Sequence, residues 1–197
     1  MALKKIWRLG YGTVMRRKDG KTSSYAAVFP TGQFSSCLQC FLTNQNLAHA
    51  ETIAGVTKHF LDHRFDLLGS GWVQVKHGMH CRGLEGYRYD MGDSLIFDAN
   101  GDWLRGRINA ANFLESKRIW NLVDSGYTPI DWHIDFKSGY RWSEKTWYKD
   151  IKFGHKLGVD IKVPWELARM QHLPQMALYF YSLPKNSEER IPLWREF

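Results

Sequence analysis

Alternating polar and apolar side chains between Asp131 and Asp135 could form a site for chemistry. In an extended chain, Asp131, His133 and Asp135 lie on one face, whereas Trp132 and Ile134 lie on the other. Two carboxylates and an imidazole on one face can hold a divalent ion or orient the histidine for proton transfer. The same pattern is typical of a half-buried strand whose aspartates bond to backbone and basic groups, so both interpretations stay open.

A second set of such residues follows between positions 160 and 172. Trp165, Arg169 and His172 are spaced i, i+4, i+7, which places them on one face of a helix. An indole, a guanidinium and an imidazole in one stripe could bind the carboxylate or sulfate of a sugar. The alternative is structural, with Arg169 and Glu166 forming an i, i+3 ion pair on the helix surface.

Cysteines and histidines in the first half of the chain could bind a metal. Cys37 and Cys40 form a CxxC pair, and His77, His80 and Cys81 are further candidate ligands. Structural zinc takes four nitrogen or sulfur ligands, often two of them from such a pair. A second CxxC pair is missing, so we favour ordinary buried cysteines and predict no metal and no cofactor. A zinc-stabilised nucleic-acid-binding protein is an alternative.

Apolar residues at helical spacing predict three main helices, over 46–64, 110–125 and 164–182. Pro164 suits a first helical position, and Pro174 predicts a kink because it cannot donate to the carbonyl of residue 170. The chain is therefore expected to be mainly α.

The remaining segments are expected to connect these helices. We predict an irregular basic N-terminal segment over 1–45 and a helical domain over 46–197. Within that domain, loops with short strands are expected over 69–106, an extended stretch over 128–141 and a short helix over 145–157.

Composition and charge narrow the class of protein. Of the 197 residues, 44% are hydrophobic and 24% charged, which disfavours a disordered chain and a disulfide scaffold. No run approaches the roughly 18 apolar residues of a spanning helix, and no secretory signal is visible. The net charge is +7, and the first 21 residues hold seven basic residues and one acid. This basic arm could attract nucleic acid, acidic polysaccharide or lipid head groups, or could be a solvated tail.

Two segments carry a resemblance to a known family. The sequence IDWHIDFKSGYRW at 130–142 and the sequence GVDIKVPWELARMQHLP at 158–174 resemble the N-terminal helical domain of the heparinase II/III family. The shorter FDLLGSG at 65–71 resembles a weaker upstream element of the same domain. These are bacterial polysaccharide lyases. The resemblance is strongest over 126–181 and extends more weakly over 46–125.

The resemblance implies a partial α/α toroid and β-elimination on uronate-containing polysaccharide. The family's catalytic asparagine, tyrosine and histidine follow the matched region, so no catalytic residue is carried over and the isolated chain is not expected to cleave. An incomplete toroid edge would expose apolar surface and favour self-association.

The expected partner is acidic polysaccharide rather than nucleic acid, and a non-catalytic polysaccharide-binding module is the alternative. The sequence assigns no compartment, because the missing secretory signal favours the cytoplasm whereas analogy with secreted relatives favours the periplasm. The residues expected to line the substrate cleft are Asp131, Trp132, Lys162, Trp165, Arg169 and His172.

Overall fold

The computed structural model describes residues 2–21, 50–91 and 95–196. These residues form two compact units. The first unit contains 2–21, 95–127 and 142–152, and the second contains 50–91, 128–141 and 153–196. The predicted domain boundary at residue 45 lies outside the described residues.

Helices dominate the described part of the chain, as predicted. The α-helices are α1 (Ala2–Asp19), α2 (Ala50–Leu61), α3 (Phe113–Trp120), α4 (Lys162–Ala168), α5 (His172–Ser182) and α6 (Arg190–Glu196). A two-stranded antiparallel sheet joins β1 (Arg64–Phe65) to β2 (Val73–Gln74), with Arg64 opposite Gln74. Three 3-10 turns lie at Asp102–Leu104, Ala110–Asn112 and Tyr148–Asp150.

The N-terminal prediction was wrong, because residues 2–19 form α1 rather than an irregular segment. Gly10 and Gly12 lie inside this helix. A glycine costs a helix only about 1 kcal/mol relative to alanine, so two of them weaken a helix without ending it. The basic residues Arg16, Arg17 and Lys18 occupy the last turn, where positive charge complements the helix dipole.

The predicted helix over 164–182 is two helices, separated at residues 169–171 rather than kinked at Pro174. Met170 adopts a left-handed conformation with φ of 52°. Because a new helix begins at His172, Pro174 falls in its first turn, where the missing N–H costs nothing. Pro164 occupies the corresponding position of α4. Breaking the chain four residues before Pro174 thus removes the clash that a continuous helix would contain.

Two further predictions were corrected. The helix expected over 145–157 is only a 3-10 turn, because the Trp142 Nε1–H donates to the Lys152 carbonyl at 2.8 Å and folds this segment back. The extended stretch expected over 128–141 is a series of turns with a single bridge between Ile134 and Arg141. Helices were confirmed over 50–61 and 113–120, inside the predicted ranges 46–64 and 110–125, whose residues 46–49 lie outside the described part.

Buried apolar side chains form a core in the second unit, and partly buried aromatic rings form a cluster in the first. The second unit buries side chains from α2, α4, α5 and α6 against the 130–136 segment, among them Phe60, Ile134, Phe136, Leu167, Met176 and Leu193. Burying each contributes roughly 1.5–3 kcal/mol. In the first unit, Trp103 makes edge contacts with Phe97 and Trp120, at centroid distances of 4.9 and 5.1 Å. No helix in the described residues has the length and apolar character to cross a membrane.

Candidate functional site

A cleft of about 890 Å³ lies on the second unit, beside β2. Residues from the 69–85 segment form most of its wall, and Phe136 and Lys137 complete it. Backbone bonds hold these two segments together: the Gly83 N–H donates to the Lys137 carbonyl at 3.1 Å, and the Tyr89 N–H donates to the Ser138 carbonyl at 2.8 Å. The main chain therefore fixes the shape of the cleft.

Positive side chains outnumber negative ones in the described lining of the cleft. Lys76, Arg82 and Lys137 line it together with His80, whereas Glu85 is the only carboxylate among its described lining residues. Lys76 and Arg82 are exposed. Several cations in a concave wall of low dielectric raise the local concentration of anions, so this cleft suits an anionic ligand.

Trp72 stands at the rim of this cleft and is 38% exposed. Its indole stacks on the His59 ring, with centroids 4.2 Å apart and an interplanar angle of 13°. Trp72 also lines a smaller pocket of about 310 Å³ that includes Glu166 of α4 and Gln175 of α5. An exposed, fixed aromatic ring between two concavities can stack on the apolar face of a sugar.

Asp131 lies in the core of the second unit, fully buried. Its Oδ2 accepts from the Arg141 Nε–H at 2.8 Å, and its Oδ1 accepts from the His133 N–H at 3.1 Å. The His77 Nδ1 lies 3.6 Å from the same Oδ2. The carboxylate thus binds backbone and basic groups, as in the structural alternative for this motif, although in a turn rather than a strand.

Asp135 is also fully buried and joins two segments of the second unit. Its side chain accepts from the Lys137 N–H at 3.0 Å, from the Ser138 hydroxyl at 2.5 Å and from the Asp160 N–H at 3.0 Å. The last bond joins the 130–142 segment to the 158–174 segment. A buried carboxylate with several hydrogen-bond donors stabilises the local fold, because those donors replace the water lost on burial.

Helix α4 presents a partly basic surface with an exposed indole. Trp165 is 57% exposed, and Lys162 and Arg169 are exposed on the same side, at i−3 and i+4 from it. The Arg169 Nη1–H donates to Glu166 Oε2 at 3.0 Å, which is the ion pair expected from the spacing. This helix ends at Ala168, so Arg169 lies in the break at residues 169–171 and His172 begins the next helix. The predicted i, i+4, i+7 stripe therefore does not continue along one helix.

His172 and Trp132 lie inward from that surface. The His172 imidazole packs against Phe65 at 5.1 Å and Phe60 at 5.7 Å between ring centroids, and Trp132 stacks on it at 6.5 Å. Burial lowers the pKa of His172 below its usual 6.5, with Glu196 acting in the opposite direction and His63 in the same one. A neutral imidazole is therefore favoured here.

The lowered pKa of His172 predicts a pH-dependent stability. The unfolded chain binds a proton at His172 more readily than the folded chain, so the stability is complete above about pH 6.5 and decreases as the pH falls below it. We expect His172→Leu to flatten the dependence of the unfolding midpoint on pH between about 7 and 5. Chemical denaturation at several pH values measures this. Identical pH slopes, or an NMR titration placing the His172 pKa above 6.5, would contradict the prediction.

The metal alternative finds no support in the described residues. They contain no group of three or more histidine, cysteine or acidic side chains that could hold a metal ion. Burial raises the pKa of the Cys81 thiol to about 11, which disfavours the thiolate that zinc binds. The candidate ligands Cys37 and Cys40 lie outside the described residues.

Sequence reasoning missed the cleft. Lys76 and Arg82 follow a glycine-rich loop, and Lys137 lies about 55 positions further along the chain in the stretch that we predicted to be extended. The signal was a weak one, the alternation of basic residues with glycines from 76 to 83. Only the pairing of Gly83 with Lys137 shows that these cations share one wall.

Comparison of the chain with protein-family models, curated proteins and solved structures gave no significant match.

Proposed function

We propose that this chain binds acidic, uronate-containing polysaccharide as the N-terminal, substrate-binding part of a heparinase II/III-like lyase. The observation that carries the proposal is the cleft, whose described lining residues include Lys76, Arg82 and Lys137 but a single carboxylate, Glu85. Carboxylates spaced along a sugar chain would replace water around these cations, and the Trp72 indole at the rim offers a surface for a sugar ring.

The proposed chemistry gives these cations a specific role. In β-elimination, a base removes the proton on C5 of a uronate, and negative charge develops on the neighbouring carboxylate. Positive groups beside that carboxylate lower the barrier, because they stabilise the developing charge. Lys76, Arg82 and Lys137 are assigned this binding and neutralising role, and the proposal assigns no catalytic base or acid to the chain.

The exposed side of α4 extends the proposed binding surface. Trp72 lines both the cleft and the smaller pocket, and that pocket reaches Glu166 of α4. Lys162 and Trp165 lie on this short helix, and Arg169 follows directly after its last residue. We assign them to contacts with sugar residues outside the cleft, with Asp131, Trp132 and His172 supporting that surface from within.

Charge reversal in the cleft tests the proposal. We expect the double variant Lys76→Glu/Arg82→Glu to bind a uronate oligosaccharide at least about tenfold more weakly, because two attractive charges become repulsive. A tenfold loss of affinity corresponds to about 1.4 kcal/mol of binding free energy. Both side chains are exposed, so the unfolding midpoint should change little. Isothermal titration calorimetry and denaturation on the same samples give the two values.

A matched control variant distinguishes loss of affinity caused by the cleft residues from loss caused by the lower net charge of the chain. Lys156→Glu/Lys185→Glu makes the same change in charge at exposed positions of the same unit that do not line the cleft. Equal losses of affinity in the two double variants would overturn the proposal. The variant Arg169→Ala tests the contacts assigned to the exposed side of α4. Lower stability with undiminished affinity for the oligosaccharide would favour a purely structural role for Arg169.

A second candidate function is a general polyanion-binding module, favoured by the basic last turn of α1. It predicts salt-sensitive binding to many polyanions without preference for uronates. A polyuronate and a dextran sulfate of equal charge density distinguish the two functions, because only the proposed lyase part should prefer the polyuronate.

A further inference from the structure

The first unit carries a second cluster of aromatic rings and cations, made of residues other than those that line the cleft. The Lys149 ammonium lies 5.2 Å from the ring centroid of Trp147, 5.5 Å from that of Tyr148 and 5.8 Å from that of Tyr11. The Arg16 guanidinium lies 5.0 Å from the Trp147 centroid. We call these five residues the aromatic–cationic platform.

Local structure explains why the platform forms. The Trp147 Nε1–H donates to Asp19 Oδ2 at 2.9 Å, which fixes the indole against the end of α1. Arg16 forms an ion pair with Asp150, at the end of the Tyr148–Asp150 turn. Two contacts therefore tie this turn to α1, and the rings of Tyr11 and Tyr148 are set beside Lys149.

The platform is open to solvent. Tyr148 is 61% exposed and Tyr11 is 48% exposed, although burying these rings would be favourable. The Arg16 side chain is 57% exposed, and Arg17 and Lys18 follow it in the last turn of α1. Exposed rings beside several cations combine two complementary features for one ligand class: a flat apolar surface for the C–H face of a sugar, and positive charge for its carboxylates.

We propose that the platform is a second binding site for acidic polysaccharide, independent of the cleft. The ligand class of this second site rests on the proposed function, whereas its location rests on residues that do not line the cleft. Tyr148 and Tyr11 stack on sugar rings and Lys149 binds carboxylates, whereas Arg16 holds the turn in place through its ion pair with Asp150. Two sites on one chain would raise its affinity for a long polymer above that for a short oligosaccharide wherever one polymer engages both.

Stoichiometry tests the inference. We expect the unaltered chain to bind two molecules of a short uronate oligosaccharide, and Tyr148→Ala/Lys149→Glu to bind one. The variant keeps Trp147 and Arg16, which make the structural contacts. Calorimetric titration gives the number of sites, and circular dichroism checks that the variant is folded.

The matched control is Tyr181→Ala/Lys185→Glu, an exposed tyrosine and lysine of the second unit, which should retain both sites. Loss of a site in this control, or two sites in the platform variant, would overturn the inference. A competition experiment gives a further test. The inference would also be overturned if a single-stranded oligonucleotide displaced the oligosaccharide from the platform at a lower concentration than a second uronate oligosaccharide does.

The cleft variant Lys76→Glu/Arg82→Glu distinguishes failure of this inference from failure of the proposed function. If the unaltered chain binds one oligosaccharide and the cleft variant abolishes that binding, the platform is wrong and the cleft stands. If only the platform variant abolishes it, the platform stands and the cleft is wrong.

Discussion

Gly139→Ala is expected to destabilise the second unit by about 4 kcal/mol or more, a large part of the roughly 5–15 kcal/mol typical of a domain. A Cβ at this position would lie 2.0 Å from the Tyr89 carbonyl oxygen and 3.2 Å from the Cys81 Cβ. The φ of 85° is also one that residues with side chains rarely adopt.

The clash at Gly139 cannot be relieved by moving a side chain. The Tyr89 N–H donates to the Ser138 carbonyl at 2.8 Å, and the Gly139 N–H donates to the Asp135 carbonyl at 2.7 Å. Both backbones are thus held where they approach each other. Making room for a methyl group would break the contact that also shapes the cleft wall, so loss of oligosaccharide binding should accompany the loss of stability.

Two other glycines serve as controls for Gly139→Ala. Gly154 has φ of 63° and open space within 4 Å of where a methyl group would lie, so Gly154→Ala carries the backbone strain alone and should cost about 1 kcal/mol. Gly55 lies within α2 in open space, so Gly55→Ala should stabilise by roughly 0.5–1 kcal/mol. Urea denaturation followed by tryptophan fluorescence measures all three. Equal costs at Gly139 and Gly154 would show that the clash is absent.

Arg141→Met is expected to cost about 3–5 kcal/mol, because it leaves the buried Asp131 carboxylate without its cation. Both side chains are almost fully buried, and the Nε to Oδ2 distance is 2.8 Å. Methionine fills a similar volume, so the loss measures the uncompensated charge more than a cavity. The His77 ring, 3.6 Å from the same oxygen, is too far for a normal hydrogen bond.

A double-mutant cycle with Asp131→Asn isolates this ion pair. The double variant should be less destabilised than the sum of the two single variants, because the asparagine removes the charge that Arg141→Met leaves unpaired. Arg169→Met removes the exposed Arg169–Glu166 pair and should cost less than about 1 kcal/mol. Additive effects in the Asp131–Arg141 cycle, or similar losses at Arg141 and Arg169, would contradict the assigned role.

The sequence determined the helices wherever apolar residues recur at helical spacing. The periodicity over 46–64 and 110–125 predicted α2 and α3, and the spacing of Glu166 and Arg169 offered their ion pair as one of two interpretations. Local rules decide such features, because residues three or four apart on a helix are neighbours whatever the rest of the chain does. The N-terminal helix was missed because two glycines weaken a helix without ending it. The kink at Pro174 was predicted without knowing that a new helix begins at His172.

The tertiary structure alone decided which polar groups are buried and which basic side chains line the same cleft. Asp131 and Asp135 alternate like strand residues, yet both point into the core, where Arg141, Ser138 and the Asp160 N–H bind them. Lys137 joins Lys76 and Arg82 in the cleft through the bond from the Gly83 N–H to its carbonyl. These contacts join segments far apart in the chain, and their energy depends on burial and charge in the folded unit, which local spacing does not encode.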